Sequence, residues 1–283
     1  MWTVVILSWC FLQLAQSLNL AKVPCGQVPI SKNAFKIVGG TNTVRGQVPY
    51  IASLRYTRAG NSFHICGGTV INEKYILTAA HCVAGKLGNG LEVAIQEYNI
   101  REDEKDPVEE IIEIDQIFAH PDFRAFGRRI ENDIALLKLK TDINFNDYVQ
   151  PACLPDNNDN QFEGQTVTVS GWGATKEGGK SSNILQTLDL RAISKAACAF
   201  TLGIVLNIRE SHMCASGSFW GGEDPCQGDS GGPLVLSNPD ITVVGVVSAG
   251  VGCARPFFPG LYSRVSFFVP WIRQTLVENG DLA

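Results

Sequence analysis

Three separated stretches carry side chains whose chemistry would combine if the fold brought them together. Ser230 lies among glycines in Gly228-Asp229-Ser230-Gly231-Gly232-Pro233, His81 follows small residues in Leu77-Thr78-Ala79-Ala80-His81-Cys82-Val83, and Asp133 opens the apolar run Ile134-Ala135-Leu136-Leu137. A serine hydroxyl is a weak nucleophile until a neighbouring base takes its proton, and histidine is the side chain that titrates in the right range. Of the four histidines, only His81 stands in a strand end of small residues closed by a cysteine, where a ring can be held rigidly. His64, His120 and His212 have no comparable setting and read as surface or structural residues. A lone aspartate before a strand is ordinarily a cap, but beside the other two segments Asp133 becomes the candidate for the group that orients the base.

Two metal readings compete with this. Cysteines beside histidines in His64-Ile65-Cys66, His81-Cys82 and His212-Met213-Cys214 raise zinc, which the absence of any C-x-x-C pair disfavours. The run Arg101-Glu102-Asp103-Glu104-Lys105-Asp106, followed by Glu109-Glu110, reads as an exposed loop. Structural calcium is its sharper alternative, since carboxylates in a loop suit that hard cation. No other cofactor is implied. The net charge of -5 and the lack of a Lys/Arg cluster exclude nucleic acid as a partner.

The elements that would position these residues are short strands. Runs such as Thr166–Trp172 and Ile241–Gly250 are bounded by Gly, Pro, Asn and Asp clusters, which predicts an all-β chain. The loop Pro155–Gly164 falls near mid-chain and suggests a junction between two lobes around residues 150–165. One helix is predicted at the C-terminus, capped by Ser266, running through Val269, Trp271, Ile272, Leu276 and Val277, with Pro270 near its first turn.

The first residues have another use. Val4–Leu14 is almost wholly apolar and too short for a bilayer span, and Ala15 and Ser17 supply a small-residue processing site, so residues 1–17 read as a secretory signal. The expected location is extracellular, without membrane attachment. Removing the signal discards Cys10 from nine cysteines and leaves an even set, which in an oxidising compartment reads as four disulfides.

Six motifs in chain order, Ile37-Val38-Gly39-Gly40, Leu77–Val83, Asn132–Leu139, Ser170-Gly171-Trp172-Gly173, Gly228–Pro233 and Pro259–Val265, resemble the signature set of the trypsin-like (chymotrypsin-fold) serine proteases. The resemblance implies two six-stranded antiparallel β-barrels with a C-terminal helix, spanning residues 37–283. It implies that Ser230 attacks the scissile carbonyl, His81 carries the proton and Asp133 holds the imidazole, with the amides of Gly228 and Ser230 as oxyanion hole. It also implies a zymogen with an activation segment at 18–36, cut between Lys36 and Ile37, whose new terminus pairs with Asp229.

Further implications concern disulfides and specificity. The implied bridges are Cys66–Cys82, Cys198–Cys214 and Cys226–Cys253, leaving Cys25 and Cys153 to tether the activation segment; Val167 and Leu236 fill the positions of a bridge found in some relatives. Asp224 corresponds to the pocket base of members that cleave after Arg or Lys, with Ser248, Gly250 and Gly260 lining the pocket. Pro225 and Ala249 depart from the usual residues there. Expected partners are protein or peptide substrates, an activating trypsin-like protease or the chain itself, and protein protease inhibitors, with a monomeric state. A non-catalytic binding homologue and a purely structural extracellular protein are the readings from other classes.

Overall fold

In the computed structural model the described residues are 18–30, 41–85, 90–101, 108–126, 129–156, 162–174, 179–203, 206–217, 228–249 and 259–282. The N-terminal half supplies β1 (Thr41–Asn42), β2 (Ile51–Arg58), β3 (Asn61–Val70), β4 (Tyr75–Thr78), the single-turn α1 (Ala80–Val83), β5 (Leu91–Ile95), β6 (Glu110–Ala119), β7 (Arg124–Phe126), β8 (Arg129–Glu131) and β9 (Ala135–Leu139). The C-terminal half supplies β10 (Thr166–Gly171), β11 (Gln186–Ile193), α2 (Lys195–Leu202), β12 (His212–Ser216), β13 (Pro233–Ser237), β14 (Ile241–Ala249), β15 (Gly260–Arg264) and α3 (Val265–Glu278).

The strands close into two antiparallel barrels. The first is the ring β2-β3-β4-β9-β6-β5. The second runs β11-β10-β13-β14-β15-β12 and shuts because β11 pairs with both β10 and β12, while β1 adds to the edge of β11. Closure removes the free strand edges that an open sheet of this length would present to other chains. The apolar runs explain the interiors: Leu54, Ile76, Leu77, Leu136 and Leu137 fill the first barrel and Val167, Leu234, Val244 and Tyr262 the second, each at most 1% exposed. A side chain of this size buried so fully stabilises the fold by about 1.5–3 kcal/mol.

The segment 18–30 is bound to the body. Leu18 and Leu154 exchange backbone hydrogen bonds of 2.7 and 2.9 Å, Gly26 N–H donates to Pro151 O, and Cys25 is bonded to Cys153. Gly26 has φ +77°, and a Cβ there would lie 2.6 Å from Asp240 Cβ and 2.8 Å from Ile241 N, so the close approach of the two backbones needs glycine.

Helix α3 buries Val265, Phe268, Val269, Ile272 and Leu276, a 3.6-residue stripe, against the core. It starts two residues earlier than the sequence predicts, with the cap position at 264 instead of 266. Arg264 occupies the N-cap position without a side-chain cap, and Ser266 sits inside the first turn with its hydroxyl buried and, among the described residues, without a hydrogen-bond partner. The cap prediction fails because the apolar stripe begins at Val265 and packing sets the helix start. Pro270 lies deeper than the first turn for the same reason.

Past the helix, Asp281 closes the C-terminus onto the first barrel. Its carboxylate meets Lys74 Nζ at 2.7 Å, Lys138 Nζ at 2.6 Å and the Tyr75 hydroxyl at 2.7 Å. Burial alone would raise its pKa, but the bonds from Lys138, Lys74 and Tyr75 outweigh that and bring it down to about 2. A folded-state pKa below the unfolded value means stability that is present near neutrality and lost as pH falls through the folded pKa. Asp281→Asn is therefore expected to lower the free energy of unfolding by about 1–2 kcal/mol at pH 7, after discounting for the partly exposed lysines. Denaturant melts from pH 7 to pH 2 check this: the difference from the unaltered chain should shrink between about pH 4 and pH 2, and a pH-independent difference would rule out the electrostatic account.

Candidate active site

His81 and Asp133 meet because their strands pair. Thr78, at the end of β4, lies opposite Ala135, at the start of β9, so the chain leaving one strand runs beside the chain entering the other. Asp133 Oδ1 accepts from the His81 amide at 2.9 Å and Oδ2 lies 2.7 Å from His81 Nδ1. Ser248 Oγ donates to the same Oδ2 at 2.5 Å, and Ser263 Oγ donates to the Asp133 carbonyl at 2.7 Å. Asp133 is 1% exposed, whereas the His81 side chain is 27% exposed. A carboxylate oxygen can only accept here, so Nδ1 carries the proton and Nε2 is left as the ring's basic nitrogen.

Cys82, bonded to Cys66 of β3, fixes the turn that carries His81. Its sulfur lies 3.7 Å from Nε2. Cys66, His81 and Cys82 form a cluster with metal-ligand separations, but both sulfurs are spent in the disulfide, and zinc is bound by thiolates.

Ser230 is half-buried and held by both barrels. Its carbonyl accepts from Gly67 N–H of β3 at 2.7 Å, and the next amide, Gly231 N–H, donates to Val247 O of β14 at 2.8 Å. Thr78 Oγ1 donates to the Gly67 carbonyl at 2.8 Å, which ties the serine loop to the strand leading into His81. Asp229, 8% exposed, accepts from Gly173 N–H at 2.8 Å through Oδ1. Gly228 has φ +103°, a conformation side chains avoid, and a Cβ there would stand 3.0 Å from Gly173 Cα.

His64, which the local sequence pattern leaves without a role, is half-buried and touches this loop. Its Nε2 lies 3.0 Å from the Gly228 carbonyl and Nδ1 lies 2.8 Å from Ser53 Oγ. A carbonyl only accepts, so Nε2–H donates to Gly228, and the neutral ring's Nδ1 accepts from the Ser53 hydroxyl. Burial pulls the His64 pKa below its ordinary value, in keeping with a neutral ring. Its partners stand 11 and 164 residues away in the chain, so no short-range signal marks it. His120 packs against Phe268 and Trp271, and His212 donates to the Ile130 carbonyl at 3.1 Å.

Other predicted residues surround this centre. Ser248 turns its hydroxyl to Asp133. Gly260 opens β15, where a Cβ would lie 3.0 Å from the Tyr262 hydroxyl. Cys198 is bonded to Cys214, Val167 is buried and Leu236 packs beside it. Lys36, Ile37, Asp224, Pro225, Cys226, Gly250 and Cys253 lie outside the described residues, as does the side chain of Ala249.

The acidic run is only partly described. Glu109 and the buried Glu97 both face Arg55, which pairs closely with Glu97 and lies 3.7 Å from Glu109. Burial pushes Glu97 up to about 7 against the pull of Arg55. Residues 102–107 of that run, on which the calcium reading rests, lie outside the described residues.

A buried carboxylate behind a histidine, with a serine loop pinned by glycines across two closed barrels, is one constellation on one fold. The trypsin family profile matches residues 37–272. This chain belongs to the trypsin family. It is a serine endopeptidase, and secretion and synthesis as a zymogen are typical of trypsin-family proteins. Trypsin-1 of Astacus astacus is 41% identical over 249 residues, which is 85% of this chain and 100% of that protein. Phenoloxidase-activating enzyme 1 of Spodoptera litura is 35% identical over 90% of this chain and 71% of its own length. Phenoloxidase-activating factor 3 of Holotrichia diomphalia is 36% identical over 86% and 73%. Among the described residues of this trypsin-family chain, no helix is long and apolar enough to cross a membrane.

Proposed function

We propose that the chain is a secreted zymogen that, once cut between Lys36 and Ile37, hydrolyses peptide bonds after Arg or Lys. The observation that carries the reading is the His81–Asp133 pair at 2.7 Å, with Nε2 beside the Cys82 sulfur that also borders Gly231 of the serine loop. Ser230 Oγ adds to the scissile carbonyl as Nε2 takes its proton, the amides of Gly228 and Ser230 receive the oxyanion, and Nε2 returns the proton to the departing amine. Water then repeats the sequence on the acyl-enzyme. Apo geometry at such sites is often loose and tightens with substrate.

On this reading Asp224 supplies the carboxylate that meets the substrate cation, with the pocket lined by Gly250 and Gly260. The Ile37 ammonium joins Asp229 after the cut. Residues 1–17 are the signal, 18–36 the activation segment and 37–283 the peptidase domain. The Cys25–Cys153 bond supports an active form in which the activation segment stays attached. An activating protease or the chain itself makes the cut, and protein inhibitors are the natural binding partners.

The test is amidase activity of the purified zymogen before and after cleavage at Lys36–Ile37, on matched substrates ending in Arg, Lys, Phe or Ala. Activity only after cleavage, and only on Arg and Lys, is expected. Turnover of Phe or Ala substrates would overturn the specificity, and no turnover at all would overturn the catalytic assignment.

A further inference from the structure

Behind the serine loop one hydroxyl has two acceptors and a single hydrogen. Ser53 and Arg55 are alternate residues of β2, so their side chains leave the strand on one face. Ser53 is fully buried, Arg55 is 5% exposed, and Glu97, just past β5, is 3% exposed. Ser53 Oγ lies 2.8 Å from His64 Nδ1, and Ser53 is also the hydroxyl that the Glu97 carboxyl faces. Glu97 Oε1 is held by Arg55, whereas Oε2 is buried and, among the described residues, has no hydrogen-bond partner.

Hydrogen-bond polarity makes Glu97 the deciding group. An ionised carboxylate only accepts, so it competes with Nδ1 for the one hydrogen on Oγ. A carboxyl group that keeps its proton donates to Oγ instead, and the hydroxyl hydrogen is left for Nδ1. The neutral ring then carries its proton on Nε2, which meets the Gly228 carbonyl at 3.0 Å. If the hydroxyl turns to Glu97, the ring proton moves to Nδ1 to face Oγ. A bare Nε2 is then set against a carbonyl that has no hydrogen to give.

The surroundings favour a proton on the acid. Arg55 pairs with Glu97 and lies 3.7 Å from Glu109, so one guanidinium serves two carboxylates. Its Nε donates to Ser62 Oγ at 2.9 Å, and that hydroxyl donates to Glu92 of β5 at 2.6 Å. Among the described residues, Arg55, Glu109 and Glu92 are the charged groups that face the cluster, and Trp172 packs edge-on to His64 at 5.2 Å. Burial outweighs the pull of Arg55 and brings Glu97 up to about 7. Its proton is therefore held below neutrality and lost above it.

We infer that Glu97 is a positioning residue for the oxyanion peptide: with its proton it directs Ser53 onto His64 and His64 onto the Gly228 carbonyl, and without it that hold is released. The carbonyl and the amide of Gly228 belong to one residue, so the same contact restrains the amide that serves as an oxyanion donor. The inference rests on the proposed roles of Gly228, Ser230 and His81.

The test compares kcat on an Arg amide for the activated enzyme and its Glu97→Gln variant from about pH 6 to pH 9. The glutamine amide donates to Ser53 at every pH, and any other titrating group of the centre is common to both enzymes and cancels in the ratio. The ratio of variant to unaltered kcat should rise about 3–10-fold with pH, the scale of one neutral hydrogen bond, with KM little changed. In a Ser53→Ala background the same comparison should be flat. A ratio independent of pH, or a rise that persists without the Ser53 hydroxyl, would overturn the relay. A second measurement needs no variant at Glu97: in 15N NMR of the unaltered enzyme the His64 proton should sit on Nε2 at about pH 6 and on Nδ1 at about pH 9. A proton that stays on Nε2 throughout would also overturn it. Absence of turnover by the unaltered enzyme at any pH would instead overturn the catalytic reading, while the ring tautomer would still decide the relay.

Discussion

In the activated enzyme Asp133→Asn is expected to lower kcat by about four orders of magnitude with little change in KM, the scale that the same substitution has in the best-known member of this family. The physical reason lies in how the carboxylate is bonded. Both of its oxygens accept hydrogen bonds, from the His81 amide, from His81 Nδ1 and from Ser248. An amide of the same shape has only one accepting oxygen. If that oxygen serves the backbone, the amide nitrogen faces Nδ1 as a donor and drives the ring proton to Nε2, where it blocks the base. Steady-state kinetics on an Arg amide would show the loss, and a melting curve close to that of the unaltered enzyme would show that the fold is intact. A fall in kcat of less than about tenfold would remove Asp133 from the role assigned to it.

Gly173→Ala should lower kcat by about 10²–10³-fold, the scale of losing one oxyanion donor. A Cβ on residue 173 would stand 2.1 Å from Asp229 Oδ2 and 2.4 Å from its Cγ. Gly173 is not among the residues with positive φ, so alanine meets no backbone strain and the effect comes from contact alone. Asp229 is 8% exposed, and its carboxylate accepts from the Gly173 amide. Moving that carboxylate breaks the bond and shifts the peptides on either side, which belong to Gly228 and Ser230. His81 lies outside this collision. Its alkylation by an affinity label should therefore proceed while turnover and affinity for a transition-state analogue fall together. Unchanged affinity for the analogue would mean that the loop accommodates the methyl group and that Asp229 does not set the oxyanion geometry.

The sequence carried the chemistry further than the geometry. Ser230, His81 and Asp133 stood out because their local settings are unusual in one dimension: a serine among glycines, a histidine after small residues, an acid before a largely apolar strand. The strands were legible for a related reason, since β-branched and leucine-rich runs bounded by turn residues leave little choice of backbone. Short-range pattern failed where packing decided. The start of α3 follows the apolar stripe beginning at Val265, and the serine next to it, which has the residue type of a cap, is buried without a partner among the described residues.

The sequence by itself determined residue types and local backbone preference: two sets of strands, the candidates for nucleophile, base and orienter, and the glycines of the serine loop. The tertiary structure alone decided that β11 closes the second barrel onto β12 and that His64 spans from Ser53 to the Gly228 carbonyl. It also decided that Asp281 finds Lys74 and Lys138, and that Ser248 turns to Asp133. Each of these joins groups distant in the chain or leaves a polar side chain a choice of partners. Hydrogen bonds and ion pairs depend on separation in space, which the barrels set only after closure, whereas apolar periodicity and turn chemistry act between near neighbours and can be read before it.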